Sequence, residues 1–126
     1  MNEVCFLVDR GARVLWSDAS SSPVALPDSR ARWEAIWSRR RILVEIAHSH
    51  PVGPHAFSRE DETTMDALVA ALGKGLVFSV VAPNGMIRRR YAKKKGRFES
   101  LGDSNVQEEP WWTALLRASS GMTPKR

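Results

Sequence analysis

A chain of 126 residues, 43% hydrophobic and 26% charged, can bury one sizeable core but not two, and reads as a single domain over residues 1–126. It has no apolar run near the roughly 20 residues that cross a bilayer, and its start, MNEVCFLVDR, lacks the basic head and long apolar middle of a secretory signal, so no membrane partner is expected and the cytoplasm is the expected compartment. The net charge of +5 gathers in two clusters, Arg39–Arg41 and the denser Arg88–Arg90, Lys93–Lys95 and Arg97, which suit nucleic acid, an acidic protein or a solvated sheet edge.

Val4 to Val8 is apolar and β-prone, and Val14-Leu15-Trp16 resumes after Asp9-Arg10-Gly11, which predicts an opening hairpin. The lone cysteine, Cys5, excludes an internal disulfide and a cysteine-rich zinc knot. Residues 17–29 form a serine-rich loop with two prolines and room for an edge strand at Val24–Leu26. Asp28 or Ser29 caps a helix to about Arg40, since Trp33, Ile36 and Trp37 recur on one face. Ile42 to Ala47 then reads as a buried strand that runs into two histidines. After Pro51, Gly53 and Pro54, Ser58 starts a helix to about Leu72 with an apolar stripe at Met65, Leu68, Val69 and Leu72, ended by Gly73 and Gly75. Leu76–Ala82 reads as a central strand, and Asn84-Gly85 as a hairpin turn into Met86–Tyr91. Residues 96–108 are weakly specified. Pro110 introduces a last helix with Trp111, Trp112, Leu115 and Leu116 to pack or to present to a partner, and 120–126 is expected to be a disordered tail. The order of elements predicts an α/β fold, a mixed β-sheet flanked by helices.

His48 and His50 alternate along a strand, so they project to one side about 7 Å apart along the chain. Asp61 precedes Met65 by one helical turn and falls on the core-facing side of its helix, where a carboxylate needs a partner. Two imidazoles and one carboxylate leave the fourth position of a tetrahedral Zn2+ open to water, the pattern of a catalytic site. A lone His-x-His is more often a pair of ordinary hydrogen-bonded residues. Pro51, Ser58 and Asp61 at this spacing reverse that reading.

His48-Ser49-His50-Pro51, followed by Ser58-Arg59-Glu60-Asp61 after the gap at 51–57, resembles the signature of the JAMM metalloproteases, the catalytically competent MPN or JAB domains. Glu3-Val4-Cys5-Phe6 resembles the family's glutamate strand, with Phe6 where glycine is usual, and the likeness spans roughly residues 1–95. The resemblance implies a cytidine-deaminase-like α/β architecture, Zn2+ held by His48, His50 and Asp61, Glu3 as general base, and Ser58 as a donor to the oxyanion. It also implies a ubiquitin-like protein or its conjugates as substrate, with modifier-activating or conjugating enzymes as partners. Ser-x-x-Asp is at the same time a helix capping box. Relatives carry a helix before the glutamate strand. Here Glu3 lies beside a terminus that frays by default, and either another element, such as the Trp-rich last helix, replaces that helix or the start is truncated.

Among rivals, Glu45 is turned to the face opposite His48, and Glu60 points about 100° away from Asp61 toward solvent. His55 reads as a non-ligating loop residue, and Cys5 as a core thiol facing away from Glu3. The reading is a zinc-dependent peptidase or isopeptidase. The alternatives are a RadC-like nucleic-acid-associated module, favoured by the basic 88–97 segment but short of stacking aromatics, and an inactive MPN-type scaffold.

Overall fold

The computed structural model describes residues 1–104 and 108–122, the side chains of residues 103 and 104 apart. Its elements are β1 (Val4–Asp9), β2 (Val14–Ala19), α1 (Arg30–Ser38), β3 (Leu43–Ser49), α2 (Arg59–Leu72), β4 (Val77–Ala82), β5 (Gly85–Ala92), β6 (Arg97–Ser104) and α3 (Trp112–Ser119). The runs that are apolar on both faces, β1, β3 and β4, lie in the interior of one sheet of order β2-β1-β3-β4-β5-β6. β3 and β4 pair in parallel, and every other neighbour is antiparallel.

Chain direction decides where the helices go. β2, β3 and β4 run the same way, and the links through α1 and α2 both step toward β6, so one crossover hand lays both helices on one face. That face buries Cys5, Leu7, Ile46, Phe78 and Val80 against Ala35, Ile36, Met65, Leu68 and Val69. The other face buries Val4, Phe6, Val8, Ala47, Val81 and Met86 under Trp112 and Leu116 of α3. The result is three layers, and the mixed α/β sheet flanked by helices is the architecture observed. No described helix is long and apolar enough to cross a membrane.

Local chemistry sets the boundaries. Ser29 caps α1 by accepting from the backbone N–H of Arg32. Gly73 ends α2 in the left-handed region, with φ of 65°, and at Gly75 a Cβ would sit 2.8 Å from the carbonyl oxygen of Tyr91, so the β4–β5 pairing there requires glycine.

Five expectations are corrected. Val24–Leu26 is outside the sheet, whose edge on that side is β2. The hairpin turn is Pro83-Asn84, with Gly85 already paired to Ala82. The weakly specified 96–108 segment contains β6, which is held by the antiparallel register and by Phe98 edge-on to both Phe78 and Tyr91; residues 105–107 lie outside the described residues. The tail expected to be disordered is packed as far as Met122, 6% exposed, and 123–126 lie outside the described residues. Trp37 also departs from the stripe assigned to it, at 54% exposed.

The far layer rests on few side chains, of which Trp112 is the largest and is 1% exposed. Trp112→Ala is expected to cost about 3–5 kcal/mol, read as a lower urea midpoint with an unchanged slope. An effect below about 1 kcal/mol would mean that α3 is not part of the cooperative core.

Candidate metal centre

Strand register brings distant residues to one point. His48 stands next to last in β3, and His50 lies just beyond it on the same face. Cys5 pairs with His48 across β1 and β3, and continuing that antiparallel register sets Glu3 opposite His50. The N-terminus of α2 then delivers Asp61 over the exit of β3. The Nε2 atoms of His48 and His50 are 3.0 Å apart. The Oδ1 of Asp61 is 3.1 Å from His48 Nε2, and its Oδ2 is 3.4 Å from His50 Nε2. Glu3, His48 and His50 each offer a ligand atom within 4.8 Å of the others.

The donor chemistry fits a cation. His50 Nδ1 is 2.9 Å from the carbonyl oxygen of Pro54. A carbonyl only accepts, so Nδ1 carries the hydrogen, and the Nε2 of the neutral ring presents its lone pair to the cluster. Two carboxylates face the same point. Burial pushes the Asp61 carboxyl up, but without a metal the imidazolium forms of His48 and His50, which can donate to it, outweigh burial and hold the group well below the usual carboxylate range. Burial also dominates at Glu3, 6% exposed, and raises its pKa despite the two histidines. Lone pairs from imidazole and carboxylate aimed at one another are what a borderline-soft divalent ion such as zinc satisfies.

The family of prokaryotic homologs of the JAB domain matches residues 4–93. The chain belongs to this family. A comparison with curated proteins found no match. The JAB-domain match ends in the β5–β6 turn, so β6 and α3 lie beyond it.

In this JAB domain Ser58 and Asp61 form a reciprocal capping box. Ser58 Oγ accepts from the backbone N–H of Asp61, and Asp61 Oδ2 accepts from that of Ser58 at 2.7 Å. The box fixes the Asp61 rotamer, and the hydroxyl hydrogen of Ser58 has no acceptor among the described residues. The site opens on a cavity of about 790 Å³, lined by Glu3, His48, His50, Ser58 and Asp61 and by the apolar Leu26, Trp33, Ile36 and Phe57. Glu45 is on the other face, bound to Ser79 and Arg88. Glu60 and His55 are exposed. Cys5 is a core thiol, 1% exposed and pushed up to about 12 by burial, but it does not face away from Glu3. Two residues apart on one strand they share a face, and both line the cavity.

Glu3 is held firmly despite its place in the chain. Its N–H donates to the Ser22 carbonyl and its carbonyl accepts from Ser20 N–H, while Asn2 N–H donates to the Ser120 carbonyl. The next residue is pinned from behind, where Val4 N–H donates to Ser49 Oγ at 2.8 Å, and Ser49 Oγ is 2.6 Å from Ser120 Oγ. Ser120 Oγ also donates to the Leu116 carbonyl at 2.8 Å, and with one hydrogen per hydroxyl the proton between the serines belongs to Ser49. The C-terminal end of α3 thereby anchors the strand that carries Glu3. Sequence reading missed Ser49 and Ser120, since neither stands in a chemical pattern. Ser49 is only the unspecified residue of His-x-His, and its odd position, facing α3, was the available signal. Ser120→Ala is expected to cost about 1–2 kcal/mol of stability by urea unfolding and to speed hydrogen exchange at the Val4 amide, with zinc affinity unchanged. An unaltered Val4 exchange rate would refute this anchoring.

Proposed function

We propose that this JAB-domain protein is a zinc-dependent peptidase or isopeptidase that removes a ubiquitin-like modifier from its target or trims the modifier's C-terminal tail. The observation that carries the reading is the convergence of Glu3, His48, His50 and Asp61 on the wall of an open cavity. His48, His50 and Asp61 would hold the metal, which when bound supplies Lewis acidity and lowers the pKa of a water toward about 7. Glu3, unprotonated, accepts the proton of the attacking water and delivers it to the leaving amine. The free hydroxyl hydrogen of Ser58 is available to the developing oxyanion. An extended tail would enter along Val24–Pro27, which line the cavity outside the sheet.

The test is a ubiquitin-like protein fused through its C-terminal tail to a reporter, incubated with zinc and with chelator. Cleavage that needs zinc and stops with chelator is the expected result. Cleavage indifferent to chelator would overturn the mechanism, and cleavage of unrelated unfolded peptides in place of the fusion would overturn the substrate class.

A further inference from the structure

The end of the sheet opposite the metal centre is where the cations collect. The metal centre lies where β3 and β4 end and β1 begins. By register, the opposite pole holds the β1–β2 turn, the α1–β3 turn, the α2–β4 turn and the β5–β6 turn. Those turns and the strand ends beside them carry Arg10, Arg41, Arg90, Lys93, Lys94 and Arg97, all exposed. None of the six forms an ion pair or side-chain hydrogen bond among the described residues. The nearby acids, Asp9 and Glu99, are already engaged by Arg13 and Lys95. Elsewhere among the described residues, Arg59 is the one exposed Lys or Arg without an ion pair. Two clusters that look separate in the sequence thus share one end of the sheet, and Arg10 extends the row beyond Arg41 on the side away from the 90–97 group.

Its breadth and its aromatics point to the partner. From β1 to β6 the pole spans four strand spacings, about 19 Å, which is wide for one acidic side chain and suited to a run of phosphates. Two large indoles flank it. Trp37, 54% exposed at the end of α1, lies under the Arg40 guanidinium at 4.1 Å. Trp111, 60% exposed beside α3, donates its indole N–H to the Ala12 carbonyl in the β1–β2 turn. α1 and α3 sit on opposite faces of the sheet, so an indole stands on either side of the cationic end. Cations that track a backbone and aromatic faces that stack bases are the two components of single-strand recognition.

We propose that this pole is a binding surface for single-stranded nucleic acid, separate from the metal centre and independent of the reaction there. The test is fluorescence anisotropy of the full chain with a labelled 15-nucleotide deoxythymidine strand across a salt series. With six phosphates neutralised, the log–log salt slope is expected near about −4, roughly a 300-fold loss of affinity from 50 to 200 mM salt. The variant Lys93→Gln/Lys94→Gln/Arg97→Gln is expected to halve that slope to about −2. Trp37→Ala is expected to weaken binding at least about fivefold with the slope unchanged. Arg30→Gln, an exposed cation at the other end of α1, and added chelator are expected to change neither. All substituted positions are on the surface, so circular dichroism should be unaltered. Absence of binding at 50 mM salt, or a slope that survives the triple substitution, overturns the proposal. Displacement by polyglutamate as readily as by unlabelled strand, with Trp37→Ala silent, overturns it in favour of an acidic protein.

Discussion

Asp61→Ala is expected to lower zinc affinity by at least about a hundredfold and to remove detectable cleavage of the fusion substrate. The carboxylate bridges the two imidazoles at 3.1 and 3.4 Å, so its loss leaves two nitrogens and takes away the charge that neutralises the ion. Asp61 also accepts from Ser58 N–H as part of the α2 cap, and losing that cap adds about 0.5–2 kcal/mol of destabilisation in urea. Asp61→Asn retains an oxygen acceptor for the cap but not the charge. It is expected to keep most of the stability and still lose zinc, which separates ligation from folding. Competition with a chromophoric chelator reads the affinity. Because Glu3 also offers a ligand atom to the same two histidines, retained zinc in Asp61→Ala together with lost zinc in Glu3→Ala would assign the third ligand to Glu3 and leave the reaction without the base proposed for it.

Glu3→Gln is expected to bind zinc as the parent does and to lose about 10²–10⁴-fold in kcat, because the amide is isosteric but cannot accept the proton. In the metal-free site burial raises the Glu3 pKa above 4.5, and the charge of a bound zinc opposes that shift. A base works unprotonated, so activity is present above the Glu3 pKa of the loaded enzyme and is lost as pH falls through it. Zinc loading adds a second acid dependence. At His50 burial lowers the pKa, but the bonds to Asp61 and Pro54 outweigh it and the net shift is upward from 6.5. The imidazolium cannot ligate, so zinc affinity is full above that raised value and falls as pH drops through it. Measuring kcat at saturating zinc isolates Glu3, and measuring zinc affinity alone isolates His50. A kcat profile in Glu3→Gln that keeps both its height and its acid limb would assign the base elsewhere.

Chemistry that depends on neighbours in the chain was readable from residue order. The alternation that puts His48 and His50 on one face, the turn of helix that aims Asp61 inward, the Ser58 cap and the Gly73 stop each involve groups within about one turn or one strand pair. Glu45 was correctly set on the opposite face by the same parity. Where parity was misapplied, at Cys5, the thiol was assigned the wrong side of β1. The α/β order of elements was legible because the central strands are apolar on both faces and α2 is apolar on one.

What stayed hidden involves residues far apart in the chain. Sequence could name Glu3 only by resemblance. It takes the β1–β3 register to carry Glu3 to His50 and α3 to anchor the strand behind it through Ser120 and Ser49, contacts across 71 positions. β6 has little intrinsic strand character and forms because β5 offers it an edge and Phe78 and Tyr91 offer Phe98 a surface. The gathering of Arg10, Arg41 and the 90–97 cations at one end of the sheet likewise depends on strand direction. Sequence by itself determined the candidate ligand types, their spacing and the class of fold, since local geometry follows from backbone periodicity. Only the tertiary structure decided which side chains meet, because register and layer order are set by the burial of both sheet faces at once, which no local stretch encodes.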